Sequence, residues 1–252
     1  MNNLKAFILM GVFSVLLVFL GNAIAGQQGA VIFFLISLAM NLFSYYNSDR
    51  MVIRMTNSQP LTESEAPELY RIVQDLAQKA ALPMPRLYLT PSEQPNAFAT
   101  GRNPEHAVIA VTEGLVRILN RDEIEGVLAH EMAHIKNRDI LIGTIAASFA
   151  GAVSMLANVA QWGAMFGGFG GNDDEEGTGL LGMLLLAILA PIAALIIQMA
   201  ISRSREYFAD ETGAKLTGNP QGLSNALLKL NSYAQRIPMQ VEPAASHMFI
   251  VN

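Results

Sequence analysis

The sequence predicts an α+β fold, that of a mainly helical integral membrane protein with a small β-sheet in its soluble part. Four long stretches of the chain contain no charged residue. Charged residues make up only 15% of the chain, whereas soluble domains average roughly 25%. Helical and strand patterns alternate between the second and third stretches, and this region supplies the predicted sheet.

The four uncharged stretches predict the membrane segments, because about 20 apolar residues span a bilayer. They cover residues 6–26, 29–46, 140–171 and 179–202. We expect two N-terminal transmembrane helices within 1–46 and a transmembrane helical hairpin over 140–202. The third stretch is rich in Gly, Ala and Ser, so the sequence leaves open whether the last two stretches cross fully.

The distribution of basic residues predicts the orientation. All 16 Lys and Arg residues fall on one side of the membrane if the chain crosses four times, and the positive-inside rule makes that side cytoplasmic. The N-terminus has an alternative interpretation, because Ala23 and Ala25 form an A-x-A pattern typical of a secretory signal. We favour a retained helix, since the apolar run is long and a second one follows at once.

Composition excludes several classes of site. The chain has no Cys, which rules out disulfides, thiolate zinc sites and cysteine nucleophiles. A net charge of −5 provides no basic surface for nucleic acid. The bilayer is therefore the expected partner, and nucleic acid is not.

The soluble part is expected to be discontinuous, with a first part at 47–139 and a second at 203–252 that flank the transmembrane hairpin. Alternation and helical periodicity predict its elements. We expect helices at 65–82, 113–119, 203–217 and 220–233, strands at 86–90, 96–100 and 107–112, and a hairpin turn at 101–106.

A His-Glu-x-x-His run at 130–134 is the clearest chemical signal. Residues four apart share one helix face, so His130 and His134 can reach one Zn²⁺ with Glu131 beside it. This arrangement permits hydrolysis, in which Glu131 accepts the proton of a metal-acidified water molecule. The alternative is a surface helix with two unremarkable histidines, but acidic residues in the predicted first turn and apolar residues at helical spacing favour a metal site.

A zinc site needs a third protein ligand and an open position. The candidates are Glu206 and Asp210, together with Asp139, His106 and His247. A transmembrane hairpin would bring the helix of Glu206 and Asp210 next to His134, so we expect one of these acids to bind the metal. The other could then accept a hydrogen bond from a ligand histidine. Alternatively, both acids simply pair with Arg203 and Arg205.

The order of three motifs makes the chain similar to a known family. The run at 130–134, the segment Ser-Arg-Ser-Arg-Glu-Tyr-Phe-Ala-Asp at 202–210 and the segment Pro-Asn-Ala-Phe-Ala-Thr-Gly at 95–101 resemble those of the membrane zinc metallopeptidases related to CAAX prenyl proteases. The resemblance covers nearly the whole chain. It implies a zincin-like metalloprotease domain in a bacterial inner membrane, with one Zn²⁺ per chain.

The resemblance also implies roles for individual residues. Glu206 would be the third zinc ligand and Asp210 the partner of a ligand histidine. An edge strand beside the zinc cleft would pair with the substrate backbone through Asn96, Ala97, Phe98 and Ala99. The family usually continues into a helix with a His-Pro-Pro-like motif, whereas this chain stops at Asn252, which is compatible with a truncated C-terminus.

One further group could meet the negative charge that develops on the substrate oxygen. His247 is the remaining candidate histidine near a predicted helix, and related peptidases have a late histidine near the site. Arg203 or Arg205 could serve instead, or could contact lipid headgroups. A solvent-exposed His247 without any role is an equal alternative.

These observations predict an integral membrane zinc endopeptidase whose active site faces the cytoplasm. By resemblance, its substrates would be misfolded or damaged membrane proteins or unfolded polypeptides, in quality control and the stress response. A processing peptidase for one lipidated or tailed substrate is a second possibility. A membrane chaperone or scaffold with a structural zinc site is a third, although an intact Glu131 argues against it. The sequence does not indicate an oligomeric state.

Overall fold

A computed structural model describes residues 2–151, 202–234 and 248–250. Seven helices lie in these ranges: α1 (Asn2–Met55), α2 (Pro67–Ala80), α3 (Glu113–Ile118), α4 (Arg121–Lys136), α5 (Ile140–Gly151), α6 (Arg203–Thr217) and α7 (Pro220–Ala234). Four strands accompany them: β1 (Gln59–Pro60), β2 (Arg86–Thr90), β3 (Ala97–Thr100) and β4 (Val108–Thr112). A short 3₁₀ helix, Pro104–His106, connects β3 to β4. The mainly helical α+β class is confirmed.

Helix α1 is a hairpin of two apolar arms. Its helical geometry breaks at Ala25 and Gly26, where Gly26 has a φ of 60°. The arms Leu4–Ala23 and Ala25–Met55 are each long and apolar enough to cross a membrane. Large apolar side chains are exposed along both arms, which suits a lipid environment better than water.

Side chains fix the packing of the two arms against each other. Near the open end, the Asn41 side chain donates to the Ser14 hydroxyl at 2.8 Å and to the Met10 carbonyl at 3.3 Å. Near the bend, Gly21 and Gly29 face each other so closely that a Cβ on Gly29 would collide with the carbonyl oxygen of Gly21. Small residues and interhelical hydrogen bonds are the usual means by which helices associate in lipid.

The four strands form one mixed sheet in the order β1-β2-β4-β3. Strand β2 runs parallel to β4, whereas β1 and β3 are antiparallel to their neighbours. Strand β3 is therefore an edge strand, and its register pairs Phe98 with Ala110. This position leaves the outer side of β3 facing the helix that carries the two site histidines.

Helix α4 lies at the centre of the soluble domain. Its apolar side chains join the sheet, α2 and α7 in one core that includes Leu76, Ile109, Leu128, Met132 and Leu230. Because α4 is buried on nearly every side, polar residues on it are held in a site that water reaches poorly. A second apolar cluster packs the first arm of α1 against α5.

The observed elements agree with the predicted ones to within a few residues, with three differences. The second arm of α1 continues to Met55, past the predicted end of the span at residue 46. The two-residue strand β1 was not predicted, since a Gln-Pro pair carries no strand pattern. The predicted turn at 101–106 contains a 3₁₀ helix. Most of the predicted hairpin at 140–202 lies outside the described residues, and only α5 represents it.

Candidate metal centre

Local sequence fixes the start of α4, and with it the position of the site. Asn120 caps the helix by accepting a hydrogen bond from the Glu123 N–H at 3.0 Å, while the Glu123 carboxylate accepts one from the Asn120 N–H at 2.9 Å. This reciprocal capping box is a strong start signal. Glu123 also accepts a hydrogen bond from Lys229 on α7 at 2.7 Å, which ties the helix start to its neighbour.

Three ligand-type atoms converge where α4 meets α6. The Nε2 atoms of His130 and His134 are 3.1 Å apart. The Glu206 Oε2 atom lies 3.6 Å from Nε2 of His130 and 3.5 Å from Nε2 of His134. Within the described part of the chain, these three residues form the single group of His, Cys, Asp or Glu residues whose donor atoms lie close enough to share a metal ion.

A separate carboxylate holds the other ring nitrogen of each histidine. Nδ1 of His130 is 2.9 Å from Asp210 on α6, and Nδ1 of His134 is 3.3 Å from Asp139. Because a carboxylate only accepts, each Nδ1 must donate its hydrogen. In the neutral histidines, the lone pairs of both Nε2 atoms therefore face each other and Glu206, an arrangement that a cation would relieve.

The donor geometry fits a tetrahedral zinc ion. Ligands at roughly 2.0–2.1 Å around a tetrahedral centre are about 3.3–3.4 Å apart. The observed separations of 3.1, 3.5 and 3.6 Å bracket that value. Two imidazoles and one carboxylate also form a typical donor set for catalytic zinc, with a fourth position left for water.

Close helix packing brings α6 to α4 at the correct height. Gly213 on α6 faces the α4 backbone, where a Cβ would lie 3.1 Å from the His130 nitrogen. One turn nearer the start of α4, a Cβ on Gly126 would collide with the backbone of Leu223 at the start of α7. The two glycines therefore allow α6 and α7 to approach the α4 backbone closely, and the approach at Gly213 brings Glu206 and Asp210 near His130.

An unusual backbone turn carries Asp139 back to His134. Arg138 has a φ of 58°, in the left-handed region that non-glycine residues seldom adopt. After this turn, the Asp139 N–H donates to the His134 carbonyl at 2.9 Å, and its carboxylate reaches the same histidine's ring. The strained residue thus contributes to the orientation of one metal-ligand candidate.

The carboxylates change the titration of the histidines. Burial alone would lower the pKa of His134, but hydrogen bonds to Asp139 and Glu206 outweigh burial and raise its pKa to about 10. Burial would also lower the pKa of His130, but hydrogen bonds to Asp210 and Glu206 outweigh burial and raise it. Burial would raise the pKa of Glu206, yet hydrogen bonds from both histidines lower it overall. The metal-free site thus favours positive charge where a cation would bind.

Glu131 lies on α4 between the two histidines and is buried. Burial raises its pKa, and this effect exceeds the opposing influence of the two histidines and of a hydrogen bond from the Ala99 N–H. A carboxyl group with a raised pKa exchanges protons more readily near neutral pH than an ordinary glutamate does. The hydrogen bond also connects Glu131 directly to edge strand β3.

A cavity of about 80 Å³ opens beside these groups. Glu131, His134 and Glu206 line one part of it, Asp139 and Arg205 another, and Ala99 of β3 and Met248 complete the wall. The cavity has room for a small part of an extended chain, and its lining combines a base, two candidate metal ligands and a strand edge.

The C-terminal segment Met248–Ile250 lies against the outer edge of β3. The Ile250 N–H donates to the Ala97 carbonyl at 3.2 Å. The Phe249 ring packs edge-on against Phe98, with ring centroids 4.9 Å apart. This edge can therefore pair with an extended backbone, and Ala97 already does so within the chain.

The structure brings some of the predicted site residues together and leaves others apart. It brings together His130, Glu131, His134, Glu206 and Asp210. Four further predicted residues are buried nearby, Asn96 directly before β3 and Ala97, Phe98 and Ala99 on it. The Asn96 side chain accepts a hydrogen bond from the Ala97 N–H. Arg203 is exposed at the start of α6, and His247 lies outside the described residues. Their predicted roles stay predictions.

Sequence reasoning named two further residues of this site without finding their positions. Asp139 was weighed as a metal ligand, whereas it hydrogen-bonds to His134 from a position five residues further along the chain. Arg205 was named as an alternative to Arg203, and it is Arg205 that lines the cavity. The available signal for Asp139 was its place directly after the end of a metal-binding helix. For Arg205, no signal distinguished it from Arg203 before the packing of α6 was known.

The chain is similar to proteins of one known family. Residues 63–250 match the family described as Peptidase family M48. A "Protease HtpX homolog" from Pelotomaculum thermopropionicum is 66% identical over 254 residues, which is 100% of this chain and 90% of that protein. A protein of the same description from Syntrophobacter fumaroxidans is 56% identical, and the match covers 97% of this chain and 88% of that protein. Another, from Thermococcus kodakarensis, is 54% identical, and the match covers 99% of this chain and 86% of that protein.

Among solved structures, the crystal structure of S. mikatae Ste24p matches 98% of this chain and 59% of its own length, with 20% identity and a TM-score of 0.49. The family match and the relatives confirm the predicted resemblance to membrane metallopeptidases. Together with the apolar hairpin of α1, these matches show that the protein is a membrane metalloprotease. The chain belongs to peptidase family M48.

Proposed function

We propose that this metalloprotease is a zinc-dependent endopeptidase in which His130, His134 and Glu206 bind one Zn²⁺ and Glu131 is the general base. The observation that carries the proposal is the triangle of donor atoms at 3.1, 3.5 and 3.6 Å, with Glu131 buried beside it. Its three donors leave one tetrahedral position open, as a catalytic site requires.

The residues of the chain divide the chemical work among them. When bound, Zn²⁺ supplies a Lewis acid that polarises a carbonyl group and acidifies water. The Glu131 carboxylate takes a proton from the attacking water and then delivers it to the nitrogen of the leaving amine. Asp210 and Asp139 hold the hydrogen on Nδ1 of His130 and His134, which keeps both Nε2 atoms available as ligands.

Strand β3 supports a role in substrate alignment. The Ala97 carbonyl already accepts a hydrogen bond from the N–H of Ile250, and Ala99 lines the cavity next to Glu131. A substrate in extended conformation would add to this edge by main-chain hydrogen bonds, the mode called β-augmentation. This mode selects an unfolded backbone and makes few demands on side chains.

The membrane context supports a substrate class. Helix α5 begins at Ile140, directly after Asp139. An apolar helix therefore starts next to the residue whose carboxylate contacts the His134 ring. We infer a multi-pass protein of the bacterial inner membrane whose catalytic domain faces the cytoplasm and degrades misfolded or damaged membrane proteins under stress. All 16 basic residues would then lie on the cytoplasmic side.

Degradation of casein by the detergent-purified protein tests the mechanism. We expect the wild type to lose activity when metal is stripped and to regain it with about one equivalent of zinc. Glu131→Gln should bind zinc but cleave at least about 10²-fold more slowly, because the base is gone. Glu125→Gln is the matched control on the same helix, where Glu125 pairs with exposed Lys79. Equal activity of Glu131→Gln and wild type would refute the proposed role.

Labelling of single cysteines tests the orientation, since the chain has none of its own. Gln27 at the bend of α1 and Gln221 on α7 are both exposed. In intact cells, an impermeant maleimide should label Gln27→Cys, and should label Gln221→Cys only after lysis. The reverse pattern would place the catalytic domain outside. Mapped cleavage sites that share one terminal motif would favour a processing peptidase over a degradative one.

A further inference from the structure

Arg205 is buried in a position where its neighbours along the helix are not. It is 8% exposed, although it lies in the first turn of α6 between exposed Ser204 and the half-exposed Glu206 side chain. A buried arginine without full pairing is rare, because desolvation of a guanidinium costs several kcal/mol. Its Nη1 group has no hydrogen-bond partner in the described part of the protein.

Electrostatic attraction offsets part of the cost of burying this guanidinium. Burial disfavours its charge, and the carboxylates of Asp139 and Glu206 partly compensate. Each of these acids is already engaged with a histidine, Asp139 at Nδ1 of His134 and Glu206 near both Nε2 atoms. Arg205 is therefore retained by charge while one of its donor groups remains unused.

The unused donor belongs to a residue that lines the reaction cavity. Arg205 shares this cavity of about 80 Å³ with Glu131, His134 and Ala99. A buried N–H group without an acceptor is destabilising, and an acceptor that enters the cavity would relieve that cost. An oxygen atom of a substrate, next to Glu131 and the strand edge, would supply such an acceptor.

We propose that Arg205 donates a hydrogen bond from Nη1 to the carbonyl oxygen of the scissile peptide bond, and so stabilises the charge that develops there. This inference rests on the proposed peptidase function. When the water oxygen bonds to the carbonyl carbon, the π electron pair of the C=O bond moves onto the carbonyl oxygen, and the water proton moves to Glu131. Arg205 remains protonated throughout, and its hydrogen bond strengthens as the oxygen becomes negative.

The competing explanation is that Arg205 only neutralises Asp139 and thereby keeps His134 in place. In that case, its loss would lower zinc affinity, and turnover per bound zinc would not change. A donor to the developing oxyanion acts differently. Its loss lowers kcat and the affinity for tetrahedral analogues, whereas KM and zinc content change little.

The test uses Arg205→Met and Arg205→Lys in the full chain, with Lys215→Met as the matched control. Lys215 is an exposed cation on the same helix and pairs only with Glu211 among the described residues. Zinc content is measured by elemental analysis, and kcat and KM with a quenched fluorescent peptide, per zinc-loaded molecule. We expect kcat of Arg205→Met to fall on the order of 10²-fold, with partial retention in Arg205→Lys and wild-type values in Lys215→Met.

A binding measurement separates the two explanations independently of turnover. A phosphinic peptide, whose tetrahedral phosphorus carries the anionic oxygen, should bind zinc-loaded Arg205→Met about 10²-fold more weakly than wild type in calorimetry. Unchanged phosphinic affinity, or normal kcat per bound zinc, would overturn the proposal. If Arg205→Met fails to fold, Arg205→Lys decides by the same two readouts. Absence of cleavage by zinc-loaded wild type would instead refute the proposed peptidase function.

Discussion

The two halves of the candidate metal site are built in different ways. The α4 half supplies His130, Glu131 and His134 from one buried helix, and the side chains of the two histidines are 5% and 16% exposed. The α6 half supplies Glu206 and Asp210, whose side chains are 54% and 47% exposed. One half is therefore part of the core, whereas the other is a surface helix that docks onto it.

Because of this difference, substitutions in the two halves should affect the stability of the protein to different extents. Substitutions in the α4 half disturb the core as well as the metal site, because α4 packs against the sheet, α2 and α7. Substitutions in the α6 half remove ligands or their supports at a partly exposed surface, where cavities and unpaired groups cost less. The comparison predicts that the two halves have distinct mutational signatures.

The largest expected effect comes from the loss of a ligand in each half. Glu206→Gln and His134→Ala should each lower zinc affinity by more than about 10²-fold, since each removes one of three donors. The metal-free stabilities should diverge. His134→Ala should lose roughly 1–3 kcal/mol by removing a ring from the buried α4 half together with its hydrogen bond to Asp139, and Glu206→Gln should lose less. Competition with a chelator and chemical denaturation measure the two quantities; equal losses of stability would contradict the division.

A smaller effect is expected from the two supporting carboxylates. Asp139→Asn and Asp210→Asn should each weaken zinc binding by about 10–100-fold, because the amide no longer fixes the histidine tautomer. Asp139 is buried and is joined to His134 through a short turn, so Asp139→Asn should show the larger loss. Asp75→Asn provides a control on α2. A larger loss for Asp210→Asn would show that the docked helix, and not the local turn, dominates the orientation of the ligands.

The effect that is smallest per step of the experiment, about tenfold in zinc affinity per pH unit, concerns protons. The folded, metal-free protein raises the pKa of His134 from 6.5 to about 10. Stability from this shift is fully present below about pH 6.5 and is lost as pH rises through 10. Zinc must displace that proton, so zinc affinity should increase with pH across the same window. Denaturation and zinc titration at pH 6.5–10 check both trends, with exposed His106→Gln as the control; a metal-free stability independent of pH would contradict them.

Most of the fold and the contiguous half of the site could be predicted from the sequence. The spacing of His130 and His134 alone places both rings on one helix face, and the acidic first turn marks where that helix begins. Strands β2, β3 and β4 and the helices of the soluble part followed from their periodicity. These signals are local, so a single sequence is enough to detect them.

The docked half could be anticipated only through motif resemblance, and its details could not. Whether Arg203 or Arg205 enters the cavity depends on the rotation of α6, which the close approach at Gly213 sets. The supporting role of Asp139 depends on a left-handed turn at Arg138, and an arginine in the sequence does not predict that conformation. The contact of Ile250 with β3 joins segments about 150 residues apart, for which periodicity offers no signal.

The order of the two halves along the chain also has a consequence for biosynthesis. A ribosome makes His134 long before Glu206, and at about 5–20 residues per second the interval lasts roughly 4–14 seconds. During that interval the chain lacks the proposed third ligand. If Glu206 binds the metal as proposed, the protease becomes competent only when the second part of its soluble domain has been made.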